Sequence, residues 1–272
     1  MLLRAIKSVL FFINFWIVTF RYFILLSWFW LRAKIRGRGI SQKEAHYVAT
    51  RWGQTLLNSV PGWNIRTSGT ENIPPEGTPY VLVANHESAT DILAVYFLGL
   101  QFRWLSKDSM FRVPLIGRAM HWAGYVPIVR GDKESHLNAL KQSEDYIKSG
   151  VPMLYFPEGT RSVKGTPGEF KSGAFRLAQT CNAPVLPVVL HGAGKLLRKN
   201  SLAPNAATVD VKILPLVYPL ENEGTQDFTK RVRDQICKAH AGLVQLRTKH
   251  DEGAAGSPQG VVGDTDAVCR SH

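Results

Sequence analysis

Cysteine is scarce in this chain of 272 residues, and its three copies follow no recognisable spacing. Cys181, Cys237 and Cys269 are odd in number and widely separated, which excludes the disulfide framework of small secreted domains. The sequence has no C-x-x-C pair, no His-Glu-x-x-His motif and no Gly-x-Ser-x-Gly motif. We therefore predict no metal site and no serine nucleophile, in a protein whose site faces a reducing, cytosolic environment.

Acidic residues are absent from the first 40 positions, where seven basic residues lie. The formal net charge of the whole chain is +12, although its last 22 residues are acidic. A basic cluster beside an apolar run is typical of proteins that meet anionic lipid headgroups. Because the chain has no C2H2 or RNP-like motif and no stripe of interleaved basic and aromatic residues, nucleic acid is not an expected partner.

Residues 8–31 form a long apolar run in which Arg21 is the only charged residue. As a helix the run would be about 36 Å long, enough to cross a bilayer core of about 30 Å. A cation near the bilayer centre costs roughly 2.5–3.5 kcal/mol, so the helix either spans with Arg21 snorkelling or lies partly in one leaflet. More basic residues follow the run than precede it, which predicts a cytoplasmic-membrane protein whose following domain faces the cytoplasm. A buried helix of a soluble protein is the alternative.

A second, amphipathic helix is predicted at residues 42–59, where Ser41 and Glu44 form a capping-box pattern. Its apolar stripe covers either the protein core or the membrane surface. From residue 78 onward apolar runs alternate with helical patterns, which is the pattern of an α/β domain.

The predicted elements divide the chain into three parts. Strands are predicted at residues 80–84, 104–105, 124–129, 151–156, 185–190 and 209–214. Helices are predicted at 89–100, 113–122, 135–148, 173–179 and 227–247. We therefore expect membrane-anchoring helices at 1–60, an α/β domain at 61–250 and a disordered tail at 251–272.

The first candidate site is Asn85-His86-Glu87-Ser88-Ala89-Thr90-Asp91, directly after an apolar strand. Residues five apart on one helix point about 140° from each other, since each residue turns by about 100°. His86 and Asp91 therefore meet only if His86 lies on the loop and Asp91 lies in the next helix. With Ser88 as the N-cap, Asp91 would be the third helical residue, and His86 would be a general base oriented by Asp91. Alternatively, Asp91 is only the reciprocal half of a capping box with Ser88.

The second candidate site is the run 156–162, Phe-Pro-Glu-Gly-Thr-Arg-Ser, at the end of another apolar strand. Loops at the carboxyl ends of strands build the sites of open α/β sheets. Gly159 allows a tight turn, and the Arg161 guanidinium offers a planar fork suited to a phosphate. The alternative is that Glu158 and Arg161 merely pair across a surface turn.

Other polar residues carry weaker signals. Lys107, Arg130 and Lys171 lie near these loops, but each is alone compatible with a solvated surface charge. His121, His191 and the remaining histidines have no carboxylate at a suggestive spacing, so we predict that they are structural. A base without a side-chain nucleophile favours direct attack by a substrate hydroxyl.

Four ordered blocks over residues 78–192 resemble the motifs of the glycerolipid acyltransferases of the lysophosphatidic acid (1-acylglycerol-3-phosphate) acyltransferase family. The first is the Asn-His-x4-Asp motif at Asn85, and the third is the unbroken run 156–162 followed by Phe-Lys-Ser-Gly at 170–173. The second block resembles residues 107–117 and 124–130, and the fourth resembles the paired prolines of 183–188.

The resemblance implies a mixed sheet flanked by helices. It also implies a fatty acyl transfer from acyl-CoA or acyl carrier protein to the sn-2 hydroxyl of the lysophospholipid 1-acylglycerol 3-phosphate, which gives phosphatidic acid. His86 and Asp91 would be catalytic, and no metal or organic cofactor would be needed. The acceptor phosphate would be held by Lys107, Arg130, Glu158, Gly159, Thr160 and Arg161. Membrane lipids would be the remaining partners.

One departure leaves the acceptor open. Pro127-Ile128-Val129-Arg130 stands where relatives often have an aromatic or acidic residue before the arginine. A sister enzyme that acylates another lysolipid, such as lyso-ornithine lipid, is the second hypothesis. A catalytically inactive lipid-binding membrane protein is the third hypothesis. The presence of His86, Asp91 and Arg161 together argues against it, because no structural role requires all three.

Overall fold

The computed structural model describes residues 2–162, 165–197 and 203–255. Within these ranges the strands are β1 Trp63–Ser68, β2 Val81–Ala84, β3 Arg103–Lys107, β4 Val126–Ile128, β5 Met153–Tyr155, β6 Val185–His191 and β7 Ala207–Ile213. The α-helices are α1 Leu2–Ile35, α2 Gln42–Ser59, α3 Asp91–Tyr96, α4 Ile116–Trp122, α5 Lys133–Lys148, α6 Gly173–Thr180, α7 Ala193–Leu196 and α8 Thr225–Ala255. Short 3₁₀ helices occupy Thr70–Asn72 and Asp108–Arg112.

The strands form one mixed sheet in the order β1-β7-β6-β2-β5-β3-β4. Strands β6, β2, β5, β3 and β4 are parallel to one another, whereas β7 runs antiparallel to β6 and parallel to β1. This confirms the predicted mixed α/β fold. β1 was not predicted, because the sequence Trp-Asn-Ile-Arg-Thr-Ser lacks an apolar run and buries only Trp63.

Both faces of the sheet are covered, because successive side chains of a strand point to opposite faces. In β2, Leu82 and Ala84 join the core under α2, α3 and α4, whereas Val81 and Val83 join the core under α5, α6 and α8. A strand that is buried on both faces explains the uninterrupted apolar sequence of β2.

The long helix α1 packs along α2 rather than standing apart from the domain. Phe23 and Trp30 stack on Trp122 with ring centroids 6.1 and 5.9 Å away, and Leu26 is buried. The opposite face is exposed and apolar, with Ile17 and Ile24 among its residues. By length and composition α1 is able to cross a membrane, a test that buried core helices and signal sequences also pass.

Helix α2 has the predicted bounds, because the Ser41 backbone N–H donates to the Glu44 carboxylate at 3.2 Å and fixes the helix start. Its apolar residues, such as Val48 and Leu56, are buried in the core, which decides between the two uses predicted for this stripe.

The C-terminal helix is longer than predicted. Helix α8 continues to Ala255, so residues 251–255 extend the helix instead of starting the predicted tail. The rest of that tail, residues 256–272, lies outside the described residues.

Candidate active site

Two loops at the carboxyl ends of neighbouring parallel strands form the centre of the site. The loop after β2 contains Asn85 and His86, and the loop after β5 contains residues 156–162. Asn85 is buried and holds the first loop against β6. Its Nδ2 donates to the Leu190 carbonyl and its Oδ1 accepts from the Leu190 N–H, both at 2.8 Å.

His86 and Asp91 form the predicted pair, with 2.7 Å between His86 Nδ1 and Asp91 Oδ2. His86 lies on the loop, and α3 begins at Asp91 after Thr90 as its N-cap. The predicted N-cap, Ser88, is wrong, because residues 89 and 90 form a turn rather than helix. The Ser88 N–H nevertheless donates to Asp91 Oδ2 at 2.9 Å, so this carboxylate contacts both the imidazole and the backbone.

Asp91 is fully buried, whereas 23% of the His86 side chain is exposed. Burial raises the pKa of Asp91, and the hydrogen bond from His86 opposes that rise. Asp91 Oδ2 accepts from His86 Nδ1 and from the N–H groups of Glu87 and Ser88. The two backbone N–H groups fix the position of the carboxylate. Because an ionised carboxylate only accepts, its contact with the imidazole favours the tautomer of His86 with the proton on Nδ1, which leaves the lone pair of Nε2 available as a base.

The second loop clamps the backbone of His86. Glu158 Oε1 accepts from the His86 N–H at 2.8 Å, and its Oε2 accepts from the Gly168 N–H at 3.0 Å. The Ser162 N–H donates to the His86 carbonyl at 2.7 Å. Phe156 stacks on the imidazole with 4.5 Å between ring centroids. The alternative of a surface Glu158–Arg161 pair is therefore wrong, since Glu158 is buried and bound to the backbone.

The basic residues of the site lie at the same edge of the sheet, because β2, β3, β4 and β5 are parallel. Lys107 ends β3, and Arg130 follows β4 and donates from Nη2 to the Gly159 carbonyl at 3.0 Å. Arg161 is exposed, and no hydrogen bond or ion pair from the described residues occupies its guanidinium.

Gly159 lies at the turn beside these cations. Its φ of +68° is in the left-handed region that favours glycine, and a Cβ added there would lie 2.9 Å from Nζ of Lys171. Thr160 next to it is exposed. The turn therefore presents a carbonyl to Arg130 and brings Lys171 close, so that cations surround the exposed edge of the loop.

An apolar cavity of about 360 Å³ lies between the sheet and the helices α1 to α4. Its wall includes Ala89 and Thr90, which lie between His86 and α3, so the cavity reaches from the loop that carries His86 to α1. Other lining side chains are Phe15, Tyr22, Trp52, Trp104 and Met120. A cavity of this size lined by aromatic and aliphatic groups is suited to a hydrocarbon chain.

Asn85 and Glu158 contribute to this site in a way that the sequence does not predict. The motif gives Asn85 no role of its own, and the family resemblance predicts Glu158 at a phosphate. Both instead hold the His86 loop through backbone groups that lie 72 to 105 residues away in the sequence. A buried polar residue beside a strand end is the only local signal, and it does not identify its partner.

Comparisons with known proteins identify the family that this chain resembles. The family model described as Acyltransferase matches residues 64–191. The 1-acyl-sn-glycerol-3-phosphate acyltransferase of Pseudomonas aeruginosa is 31% identical over 211 residues, which are 74% of this chain and 79% of that protein. The chloroplastic enzyme LPAT1 of Arabidopsis thaliana is 39% identical over 160 residues, or 59% of this chain and 44% of the relative.

A solved structure also matches. The crystal structure of the 1-acyl-sn-glycerophosphate (LPA) acyltransferase PlsC from Thermotoga maritima superposes with a TM-score of 0.71 at 26% identity, covering 88% of this chain and 97% of that one. The chain spans about half the length of the plant and algal relatives, 44% of LPAT1 and 55% of the Chlamydomonas reinhardtii protein.

Proposed function

The chain belongs to the acyltransferase family, and on that premise we propose that it transfers a fatty acyl group to the sn-2 hydroxyl of 1-acylglycerol 3-phosphate. The product would be phosphatidic acid, and the donor would be the thioester of coenzyme A or of acyl carrier protein. The observation that carries the proposal is the 2.7 Å contact between His86 and a fully buried Asp91, at the sheet edge where Arg130 and Arg161 also lie.

The chemistry follows from the tautomer of His86. Nε2 takes the proton of the acceptor hydroxyl as its oxygen attacks the thioester carbonyl carbon. The ester C–O bond forms, the C–S bond breaks, and the proton on the imidazolium passes to the departing thiolate. Asp91 stabilises the imidazolium between these two proton transfers. Acyltransferases of this family need no metal cofactor, and the thioester is itself the activated group.

We assign the acceptor phosphate to the cationic edge formed by Lys107, Arg130 and Arg161, together with the turn at Gly159 and Thr160. Arg161 is the strongest member, because its exposed guanidinium is free to form a bidentate contact. Glu158 is proposed to act differently, as a positioning residue. Its carboxylate would repel a phosphate, and both of its oxygens already accept backbone N–H groups.

The apolar cavity and α1 are proposed to serve the lipid part of the substrates. A lysolipid is held in the membrane, and the exposed apolar face of α1 allows the enzyme to reach it there. The acyl chain would enter the cavity past Ala89 while the headgroup stays at the cationic edge. We propose that the protein resides in the cytoplasmic membrane with the site facing the cytoplasm, because more basic residues follow the apolar run than precede it.

The test is a product analysis by mass spectrometry with the purified full chain in lipid nanodiscs. The enzyme is given lysophosphatidic acid, lysophosphatidylcholine or lyso-ornithine lipid as acceptor, each with acyl-CoA and with acyl-loaded acyl carrier protein as donor. We expect phosphatidic acid from the first acceptor and little product from the other two. Preferential use of lyso-ornithine lipid would overturn the acceptor assignment, since that lipid has no phosphate.

The mechanism is tested separately with His86→Ala, which should lower the rate by about 10²–10⁴-fold while the protein still folds. His136→Ala is the matched control, because His136 is exposed on α5. Near-normal turnover of purified His86→Ala would exclude His86 as the base.

A further inference from the structure

A second cluster of titratable side chains lies behind the catalytic loop, and the acyl-transfer chemistry does not use it. Glu87 follows His86 in the chain, His191 is the last residue of β6, and His240 lies in α8. The sequence predicts no metal site and structural roles for His191 and His240, because their carboxylate partner is more than 100 residues away in the chain. Only the packing of α8 against β6 brings the three together.

One potential ligand atom from each residue converges on the same point. Glu87 Oε1 lies 3.2 Å from His240 Nε2 and 3.8 Å from His191 Nδ1, and the three atoms lie within 4.8 Å of one another. The exposed fractions of the side chains are 7% for Glu87, 12% for His191 and 2% for His240. These groups are therefore shielded from bulk water, and their polar atoms need hydrogen-bond partners or a bound ion within the site.

The hydrogen bonds present do not satisfy the cluster. Glu87 Oε2 accepts from the N–H groups of Gly192 and Gly194 at 3.0 and 3.2 Å, which fixes the carboxylate and turns Oε1 toward the histidines. Within the part of the chain that the structure describes, the buried Nδ1 of His191 has no hydrogen-bond partner. Its distance from Glu87 is too long for a hydrogen bond but short enough for two ligands of one ion.

We propose that Glu87, His191 and His240 form a binding site for one divalent transition-metal cation of the Zn²⁺ type. Two imidazole nitrogens and one carboxylate oxygen are ligands that Zn²⁺ accepts, whereas Ca²⁺ and Mg²⁺ prefer oxygen alone. Metal–ligand bonds of about 2.0–2.2 Å in a tetrahedral site place two ligand atoms about 3.4 Å apart. The distances from Glu87 Oε1 to the two imidazole nitrogens, 3.2 and 3.8 Å, are close to this value, so small side-chain shifts would close the set on an ion. The cation would also give His191 Nδ1 the partner that it lacks.

The local charges set the strength expected of this site. Burial lowers the pKa of His191, and the Glu87 carboxylate opposes that shift. His240 and Lys195 face the same ring, and the Lys195 cation weakens metal binding. Asp210 also faces it, but its two oxygens already pair with Arg66 and Arg247. A site with three protein ligands and one nearby cation should bind reversibly rather than irreversibly.

The site would act on the structure rather than on the reacting atoms. Its ligands join the loop that carries His86, the end of β6 and the C-terminal helix, so an ion would fasten α8 to the catalytic loop. This inference does not rest on the identity of the acyl acceptor, and its test reads metal binding and thermal stability directly.

The experiment uses the full chain in detergent, stripped with a chelator and then titrated with Co²⁺ as the spectroscopic substitute for Zn²⁺. We expect visible absorption bands that saturate at one Co²⁺ per chain, disappear when Zn²⁺ is added, and accompany a rise in melting temperature. His240→Ala and Glu87→Gln should weaken Co²⁺ binding by at least about tenfold, by analogy with the loss of supporting groups at metal sites. His136→Ala, which changes an exposed histidine on α5, should bind as the unchanged chain does.

Two results would overturn the proposal. If the metal-free chain without substitutions binds no stoichiometric Co²⁺, Glu87 and His240 only share a proton and the cluster binds no metal ion. This outcome does not depend on whether any variant folds. If His240→Ala binds Co²⁺ as tightly as His136→Ala does, the ion lies elsewhere on the protein. Loss of acyl transfer without any change in Co²⁺ binding would concern the proposed function alone.

Discussion

Replacing Asp91 by Asn separates two roles of this carboxylate, which accepts hydrogen bonds from the loop and places a negative charge beside His86. Asp91 Oδ2 accepts three hydrogen bonds, whereas its buried Oδ1 has no partner among the described residues. The amide oxygen of Asn can occupy the position of Oδ2 and keep all three donors. We therefore expect the loop and the His86 tautomer to survive Asp91→Asn, and only the negative charge to be lost.

The size of the effect follows from that lost charge. Opposite unit charges about 4 Å apart interact by about 4 kcal/mol at an effective dielectric constant of about 20. Because about 1.4 kcal/mol changes a rate tenfold, losing the stabilisation of the imidazolium should slow transfer by about 10²–10³-fold. The Asn NH₂ group would lie at the unpartnered Oδ1 position, which costs about 1–3 kcal/mol. Relief from burying a charge offsets part of this cost, so the melting temperature should fall by only a few degrees.

The assay measures initial rates and thermal melting on the same preparation. Asp132→Asn is the matched control, because the Asp132 carboxylate caps α5 by accepting from the N–H groups of Glu134 and Ser135. Among the described residues it makes no hydrogen bond to a histidine side chain. This control variant should lose a little stability and little rate. If Asp91→Asn loses activity only in proportion to its stability, as Asp132→Asn does, then Asp91 is merely a capping residue and the catalytic pair is wrong.

Three further results are expected. Arg161→Ala should raise the KM for the phosphate-bearing acceptor at least tenfold and leave the donor KM nearly unchanged. Arg176→Ala on α6 is the control, and an effect confined to the donor KM would contradict the assignment of Arg161 to the acceptor phosphate. Ile17→Glu with Ile24→Glu, on the exposed face of α1, should lower binding to lipid vesicles much more than the same pair changed to Ala, and equal binding would show that another surface holds the membrane. Burial lowers the pKa of His46 to about 3. Below about pH 6.5 the unfolded chain therefore binds a proton at His46, whereas His46 of the folded chain stays neutral. Stability should therefore fall by about 2 kcal/mol between pH 7 and pH 5 in urea titrations, and His46→Gln should lose that dependence.

Elements with a strong local signal could be predicted closely. The capping box at Ser41 gave α2 its observed bounds, and the buried parallel strands were recognised from their apolar runs. β1 was missed, because five of its six residues are not buried and its pairing partner β7 lies about 140 residues further along the chain. α7 was missed as well, since four residues after Gly192 are too short for a helical pattern.

The contact between His86 and Asp91 was predictable because the two residues are close in sequence, so that helix geometry alone limits how they meet. The residues that hold this pair in place were not predictable. Asn85, Glu158 and Gly168 act through backbone groups of other elements, and a hydrogen bond to a main-chain amide leaves no pattern in the residue types.

By itself the sequence determined the fold class, the long apolar N-terminal helix and the contact between His86 and Asp91, because hydrophobic periodicity and short-range geometry act between neighbouring residues. Only the tertiary structure decided that Glu158 holds the His86 backbone, that the cations of three strand ends share one edge, and that Glu87 meets two histidines. The physical reason is that parallel strands bring the ends of distant segments together, and the choice of neighbours in the sheet depends on packing across the whole chain.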